Sequence, residues 1–428
     1  MMNLDLDNSQ AFWDAVAADF YGRHAFSSAQ RHCTEPPPQS ALFAAVVECC
    51  RRHLLGEWGV ELDWQQDAMP AADAQTLYPT SEDGNFAGYQ RRMAALGVRF
   101  RLVVHDPQRV NHLLWRWGSL FLQPLFQRRG MNKLGVATRV TISNRTGEGA
   151  GVGFAPECSI HLPLIGELQH LLWSAEYLQT HPALKGSTDY QAHLDRAECL
   201  ATPEQGFSCI PKKYWYATLF RAPFNVSLTL ALQEYADITP YIINTLICPP
   251  LNERREASDH FEYAGMPDGR LHHVSLPIDI DNLQASAEQP PASLLASFAA
   301  IHHPLRPEQM SAFWMRLLSA NGFNVCPEAL PTDQCQTATA HSVIQLAAQF
   351  PLRWRKTMDN ALSIAANGHL VTIHTRHDYA PMLQMLNQGT PVALGEAASQ
   401  LKRDELALFY DLINQLAAVQ AVTIITPS

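Results

Sequence analysis

The chain of 428 residues is too long for one ordinary domain and predicts two or three. Its 47% hydrophobic and 17% charged residues exclude a disordered chain, and a formal net charge of −10 does not favour a nucleic-acid-binding face. No apolar run approaches the ~18 residues of a membrane span, and the N-terminus has no signal-peptide pattern. Nine cysteines without a C-x-x-C pair are typical of a reduced cytosolic protein, so we expect a cytoplasmic location.

Helical patterns dominate the first part of the chain. The segment SQAFWDAVAADFY places Phe12, Val16 and Phe20 at helical spacing, behind Ser9 as the predicted N-cap. A second helix, SALFAAVVECCRRHLLG, ends at Gly56, and a third follows a turn within TSEDGNFAGYQRRMAALG. The alternating segment VRFRLVVHD then predicts a strand, and DPQRVNHLLWRWGSLFLQPLF predicts a long amphipathic helix.

From about residue 133 the pattern changes to short strands separated by turns. The segments KLGVATRVTISN, VGFAPECSIHLPLIGELQHLLW, GFSCIP, YATLF and NVSLTLALQ are β-branched or alternate in polarity. Many short strands of this kind predict a compact antiparallel barrel. Because side chains alternate along a strand, Glu157, Ser159 and His161 are predicted to share one face.

Helices and a second β-rich region are predicted beyond a polar connector. PPASLLASFAAIHH and RPEQMSAFWMRLLSANG predict helices, and PLRWRKTMDNALSIAANGHLVTIHT predicts a strand, a turn and a strand. The tail runs helix, GTPVAL, helix, longer helix and β-rich VQAVTII, an order that fits a winged helix. The longer helix, LKRDELALFYDLINQL, has mixed charge, so nucleic acid is not an expected partner. We interpret His374, His377 and Asp378 as a solvated strand edge.

Three passages carry a resemblance to a known family. The segment from GFAP to LLW, the segment GFSCIPKKYWYATL and the strand VSLTLAL resemble JmjC-type cupin oxygenases, and among them the ribosomal oxygenases. Members of that family are Fe(II)- and 2-oxoglutarate-dependent protein hydroxylases. The resemblance implies an α+β fold: N-terminal helices, a double-stranded β-helix (cupin or jelly-roll) barrel, a helical dimerisation region and a C-terminal winged helix.

The resemblance also implies a division into domains. These are an N-terminal helical and β lead-in over residues 1–95, the barrel over 96–248 and a polar connector over 249–290. A helical dimerisation region over 291–350 and a winged-helix-like domain over 351–428 complete the chain. A homodimer with a protein or peptide partner and no membrane association is therefore expected.

The family's chemistry requires two histidines and a carboxylate on Fe(II), and a cation for the far carboxylate of 2-oxoglutarate. When the family's motifs are matched to this sequence, the H-x-D pair falls on Glu157 and Ser159. The distal histidine falls on Tyr216, and the lysine falls on Leu171. All four expected positions are therefore replaced, which predicts neither iron nor 2-oxoglutarate as a cofactor.

We therefore expect a degenerate cupin, a pseudo-oxygenase that binds a protein or peptide substrate or a partner enzyme. The residues expected to line its cavity are Glu157, Ser159, His161, His170, Leu171 and Tyr216. The alternative is an active iron-dependent protein or peptide hydroxylase with a relocated metal site at Glu157, His161 and Tyr216. Against that alternative stands the interpretation that Glu157 hydrogen-bonds Tyr216 or Ser159, and that His161 is a satisfied interior histidine.

Overall fold

The computed structural model describes residues 8–32, 36–66, 74–132, 135–147, 151–232, 275–276, 307–347, 350–356, 361–399 and 401–425. In these ranges the helices are α1 Ser9–Ala15, α2 Gln39–Leu54, α3 Phe86–Ala95, α4 His112–Arg129, α5 Ala175–Thr180, α6 Pro307–Ser319, α7 Ala380–Asn387, α8 Leu394–Ala398 and α9 Arg403–Ala418. The strands are β1 Phe26–Ser28, β2 Val60–Gln66, β3 Val98–His105, β4 Met131–Asn132, β5 Val136–Ser143, β6 Gly153–Phe154, β7 Cys158–Ile165, β8 Leu168–Trp173, β9 Glu198–Thr202, β10 Phe207–Ile210, β11 Trp215–Phe220, β12 Asn225–Leu232, β13 Ser275–Leu276, β14 Val343–Leu346, β15 Arg353–Lys356, β16 Ala361–Ala366, β17 His369–His374, β18 Val392–Ala393 and β19 Val422–Ile425.

Two compact units make up the chain: Met1–Arg129 with Val136–Glu234, and Gly130–Gly135 with Tyr235–Ser428. The first unit contains a seven-stranded sheet in the order β1-β10-β7-β12-β5-β3-β2 and a four-stranded sheet in the order β6-β11-β8-β9. Neighbouring strands are antiparallel, as the short alternating segments predicted. Strands β1 and β2 come from the predicted lead-in and form the two edges of the larger sheet.

Aromatic side chains cover the outer face of the larger sheet. Phe207 of β10 stacks on Trp13 of α1, with a ring-centroid distance of 6.1 Å, and meets Phe121 of α4 edge to face at 5.5 Å. Phe12 and Phe26 contact the same ring at 5.8 and 5.9 Å. Such rings bury large apolar areas, so the outward-facing residues of β10 form part of the core and the inward face is left for other side chains.

Helix α1 has a different N-cap from the one predicted. The side-chain oxygen of Asn8 accepts from the backbone N–H groups of Gln10, at 2.9 Å, and Ala11, at 3.4 Å. The hydroxyl of Ser9 instead donates to the carbonyl of His32 at 3.1 Å. Asparagine and serine are equally good caps, and the extended backbone of Asn8 decides between the two neighbours.

The turn between β7 and β8 positions the strands that carry the candidate site. Gly166 has φ of +79°, and a Cβ there would lie 2.4 Å from Oδ1 of Asn225. We expect Gly166→Ala to lower the unfolding free energy by about 2–4 kcal/mol, because backbone strain adds to the clash. Gly186 has φ of +76° with nothing within 4 Å of its Cβ position, so Gly186→Ala is the matched control and should cost only about 1 kcal/mol. Equal losses in urea unfolding would contradict the expectation.

The second unit has its own core and small antiparallel sheets. Strand β14 lies between β18 and β19, strand β16 lies between β15 and β17, and β13 pairs with β4. The predicted order of the tail is confirmed as α7, β18, α8, α9 and β19, whose apolar residues, including Leu383, Leu412 and Ile424, share one cluster. The predicted strand, turn and strand proved to be three strands, since RWRK forms β15 and pairs with β16.

Some expectations fall outside the described residues. They include the helix predicted from PPASLLASFAAIHH and, apart from the short β13, the polar connector. In the described ranges, every helix is too short or too polar to cross a bilayer.

Candidate functional site

A cavity of about 210 Å³ lies between the inner faces of the two sheets of the first unit. Its walls come from β2, β3, β5, β7 and β12 on one side and from β8 and β11 on the other. Alternation places polar side chains inward along strands whose outward residues are apolar. The polar and charged residues that line the cavity include Glu61, Arg101, His105, Arg139, His161 and Tyr216. The side chain of Glu61 is 62% exposed, so this residue lies at the solvent end of the cavity.

The three residues predicted to share one face lie together on β7 and just before it. All three are buried, and His161 lines the cavity. Ser159 lies deep in the sheet, with its backbone between Ile210 of β10 and Ala231 of β12. Ser159 and His161 lie two residues apart on β7, whereas Glu157 precedes the strand, and of the three only His161 is among the residues that line the cavity.

Glu157 is held by a cation that the sequence analysis did not consider. Its carboxylate, 5% exposed, accepts a hydrogen bond from the guanidinium of Arg139 on β5, rather than from Tyr216 or Ser159 as expected. Burial raises the pKa of Glu157, and the charge and hydrogen bond of Arg139 oppose that rise. A guanidinium thus neutralises the carboxylate that a relocated metal site would need.

The rings of two buried histidines contact each other beside the ring of Tyr216. The rings of His161 on β7 and His170 on β8 are 4.6 Å apart, and the ring of Tyr216 lies 5.9 and 6.0 Å from them. Each imidazole is hydrogen-bonded through Nδ1 to the threonine opposite it on the next strand: His161 to Thr229 at 3.2 Å, and His170 to Thr218 at 3.0 Å. This arrangement orients both rings.

The other nitrogen of each ring is buried without a protein partner in the described part of the chain. The interpretation of His161 as a satisfied interior histidine is therefore wrong for its Nε2 atom. Burial lowers the pKa of His170 to about 3 and also places the pKa of His161 well below 6.5, so both rings are neutral near pH 7. Burial raises the pKa of Tyr216, which keeps the phenol protonated.

Leu171 is not brought to the cavity. It packs with Val152, Trp173 and Leu178 in an apolar cluster, while its neighbour His170 contacts the cavity residues His161 and Tyr216. Adjacent residues of a strand point to opposite faces, so only one of the two can face inward. His170, rather than Leu171, is the residue of β8 that stands beside the candidate site.

Arginines 101 and 139 are cavity residues that the sequence analysis did not single out. Arg101 lies in VRFRLVVH and Arg139 in VATRVTIS, each at an inward position of a strand with buried residues on both sides. A charged residue at an alternating position within an apolar strand was the available signal, since such a side chain needs a partner or a solvated cavity.

The residues present do not fit the iron and 2-oxoglutarate centre of the family. Ser159 and Tyr216 offer neutral hydroxyls, which are poor Fe(II) ligands, and Glu157 is bound to Arg139. No group of three His, Cys, Asp or Glu side chains with metal-binding geometry occurs in the ranges that the structure describes. Leu171 offers no charge to a carboxylate.

In the second unit, His377 and Asp378 line a separate cavity of about 370 Å³ together with Trp354, Arg355 and Lys356. His374 is exposed at the end of β17. The expected solvated strand edge therefore continues into a shallow basic and aromatic cleft.

Comparison with known proteins gives structural likenesses only. No protein-family model matches the chain, and no curated protein matches it. The chain is similar to the ribosomal oxygenase YcfD from Escherichia coli, at 14% identity over 99% of both chains with a TM-score of 0.47. It is likewise similar to a structure of YcfD in complex with cobalt and 2-oxoglutarate, at 13% identity over 99% of both chains with a TM-score of 0.47. These proteins belong to the family that the sequence resembles, but likeness at this level assigns neither activity nor ligand.

Proposed function

We propose that the chain is a JmjC-like cupin that has lost iron and 2-oxoglutarate chemistry and acts by binding a protein or peptide, or a partner enzyme. The observation that carries the proposal is the ion pair of the buried Glu157 carboxylate with Arg139. At the first metal-ligand position the carboxylate already has a cation, and that cation is part of the polypeptide. Ser159 and Tyr216 at the other two positions leave no strong ligand there.

The proposal also covers the fold of each of the two units. We infer that the two sheets of the first unit form the double-stranded β-helix barrel and that the tail from α7 to β19 is a winged helix. A homodimer through the helices after the barrel, a cytoplasmic location and a macromolecular partner gripped by the winged helix belong to the same proposal. The order of elements in the tail supports the winged-helix part of this proposal.

The second candidate function is an iron-dependent hydroxylase with a relocated site. One observation favours it: in the described residues the Nε2 atoms of His161 and His170 are both buried without a protein partner, and the two rings lie 4.6 Å apart. The candidate requires a third ligand, and Glu157 would have to leave Arg139 to supply it.

Iron binding separates the two candidates. The full-length protein is incubated with Fe(II) under anaerobic conditions, with and without 2-oxoglutarate, and bound iron is measured after desalting. We expect well below about 0.1 iron per chain for both wild type and His161→Ala, because two histidines alone are a weak site. Stoichiometric iron in the wild type that is lost in His161→Ala would establish the relocated site instead.

A further inference from the structure

An apolar groove of about 350 Å³ lies in the second unit between α7, β18, α8 and α9. Its floor is buried, because Tyr379, Val392 and Phe409 are all less than about a tenth exposed. One wall is open to solvent, since the Met385 side chain on α7 is 41% exposed. A flexible thioether above an aromatic floor is suited to receive an apolar side chain from outside. The remaining apolar residues of the groove are Pro381, Met382, Pro391, Ala393 and Ala397.

The charged groups that line the groove are carboxylates. They belong to Asp378, just before α7, and Glu396, on α8, and neither forms an ion pair in the described residues. The Asp378 carboxylate accepts from the backbone N–H of Ala380 at 3.1 Å, a hydrogen bond that supplies no counter-ion. Among the described lining residues there is no lysine or arginine, and the cations Arg355 and Lys356 line the adjoining cavity instead. Such a rim favours a positively charged segment.

Strand β18 borders the groove and is the edge strand of its sheet. In the described ranges β14 is its only neighbour, and Val392 and Ala393 of β18 both line the groove. An edge strand offers backbone donors and acceptors to an extended chain, whose alternate side chains then point into the space beside it. The groove is therefore suited to an extended peptide that inserts one large side chain.

We propose that this groove binds an extended basic peptide segment through one large apolar side chain. The inference rests on the proposed binding function and names the segment that the second unit recognises. The apolar side chain packs against Met385 and Phe409, and the flanking Lys or Arg side chains lie beside Asp378 and Glu396. Ion pairs at an exposed rim contribute little affinity each, so apolar burial supplies most of the binding free energy and charge sets the orientation.

Three pools of fluorescein-labelled seven-residue peptides test the chemistry of the occupant by anisotropy titration of the full-length protein. The first pool has a central Phe flanked by random Lys, Arg, Gly and Ser. The second pool has Ser in place of Phe, and the third has Asp and Glu in place of Lys and Arg. We expect the first pool to bind about tenfold more tightly than either of the others, because the second loses the buried side chain and the third is repelled by the carboxylates.

Variants of the groove are needed as well, because a chain with a net charge of −10 attracts basic peptides over much of its surface. Met385→Ala should weaken binding of the first pool about fivefold, and so should the double variant Asp378→Asn with Glu396→Gln. Leu408→Ala and Asp411→Asn are the matched controls. Both residues are exposed on α9 and are not among the described residues of the groove, so each change should alter the affinity by less than about twofold.

Urea unfolding of each variant reports whether it remains folded. The inference is overturned if the first pool does not bind, if either other pool binds as tightly, or if the folded groove variants keep wild-type affinity. Size-exclusion chromatography with light scattering tests a different occupant. If Met385→Ala lowers the mass of the protein in solution, a second copy of the chain fills the groove instead of a basic peptide.

These outcomes are distinct from failure of the proposed function. That failure would appear as stoichiometric iron that is lost in His161→Ala, a residue of the first unit. The peptide titrations concern a groove in the second unit, and they are carried out in EDTA so that bound iron does not affect them.

Discussion

The unfolding free energy should fall by about 3 kcal/mol as the pH is lowered from about 6.5 to about 5, because His161 and His170 are buried as neutral imidazoles. Both folded-state pKa values lie below 6.5, so the unfolded chain takes up protons that the folded chain cannot. The stability is therefore present above pH 6.5 and is lost as the pH falls towards the folded pKa values, of which that of His170 is about 3. Each histidine contributes a limiting slope of about 1.4 kcal/mol per pH unit.

Single replacements identify which groups cause this loss. His170→Gln should reduce the loss between about pH 6.5 and 5 to roughly half, and the effect of His161→Gln should be similar. His24 is exposed in the same unit, so His24→Gln is the control and should leave the slope unchanged. Urea titrations at several pH values give the slopes. A wild-type slope that neither buried-histidine variant alters would show that other groups are responsible.

Removing Arg139 should destabilise the protein by about 2–3 kcal/mol near pH 7, because Glu157 would keep a buried carboxylate without a cation. The range is at the lower end for such pairs because the Arg139 side chain is 39% exposed. Burial already raises the pKa of Glu157, and Arg139→Met removes the group that opposes the rise. In the variant the folded state then holds a proton that the unfolded state releases above about pH 4.5.

The proton that Glu157 keeps in the folded variant determines how the loss of stability changes with pH. The difference in unfolding free energy between wild type and Arg139→Met should grow as the pH rises above about 4.5, and it should shrink towards acid. The double variant Arg139→Met with Glu157→Gln should regain most of the loss, since no buried charge remains. Arg128 pairs with Asp14, whose side chain is 59% exposed, so Arg128→Met should cost less than about 1 kcal/mol. A loss from Arg139→Met that is constant with pH would exclude Glu157 as its cause.

Much of the first unit could be predicted because its signals are local. The alternation in VRFRLVVH, CSIHLPLI and NVSLTLAL predicted strands that the structure contains. A strand has a period of two whatever it pairs with, so these assignments did not depend on distant residues. The prediction of Ser9 as the N-cap of α1 was wrong, and Asn8 is the cap, because both residue types cap helices well.

The partners of the site residues could not be predicted in this way. Arg139 precedes Glu157 by 18 residues and reaches it from another strand of the same sheet. Strand register decided that His170, and not Leu171, lies beside His161 and Tyr216, because adjacent residues of a strand face opposite sides.

By itself the sequence determined much of the order of the described helices and strands, because periodicity is a property of the chain. Only the tertiary structure decided that a guanidinium neutralises Glu157 and that the rings of His161 and His170 meet. These contacts join residues of different strands, and the distance between two such side chains depends on strand pairing and register rather than on separation along the chain.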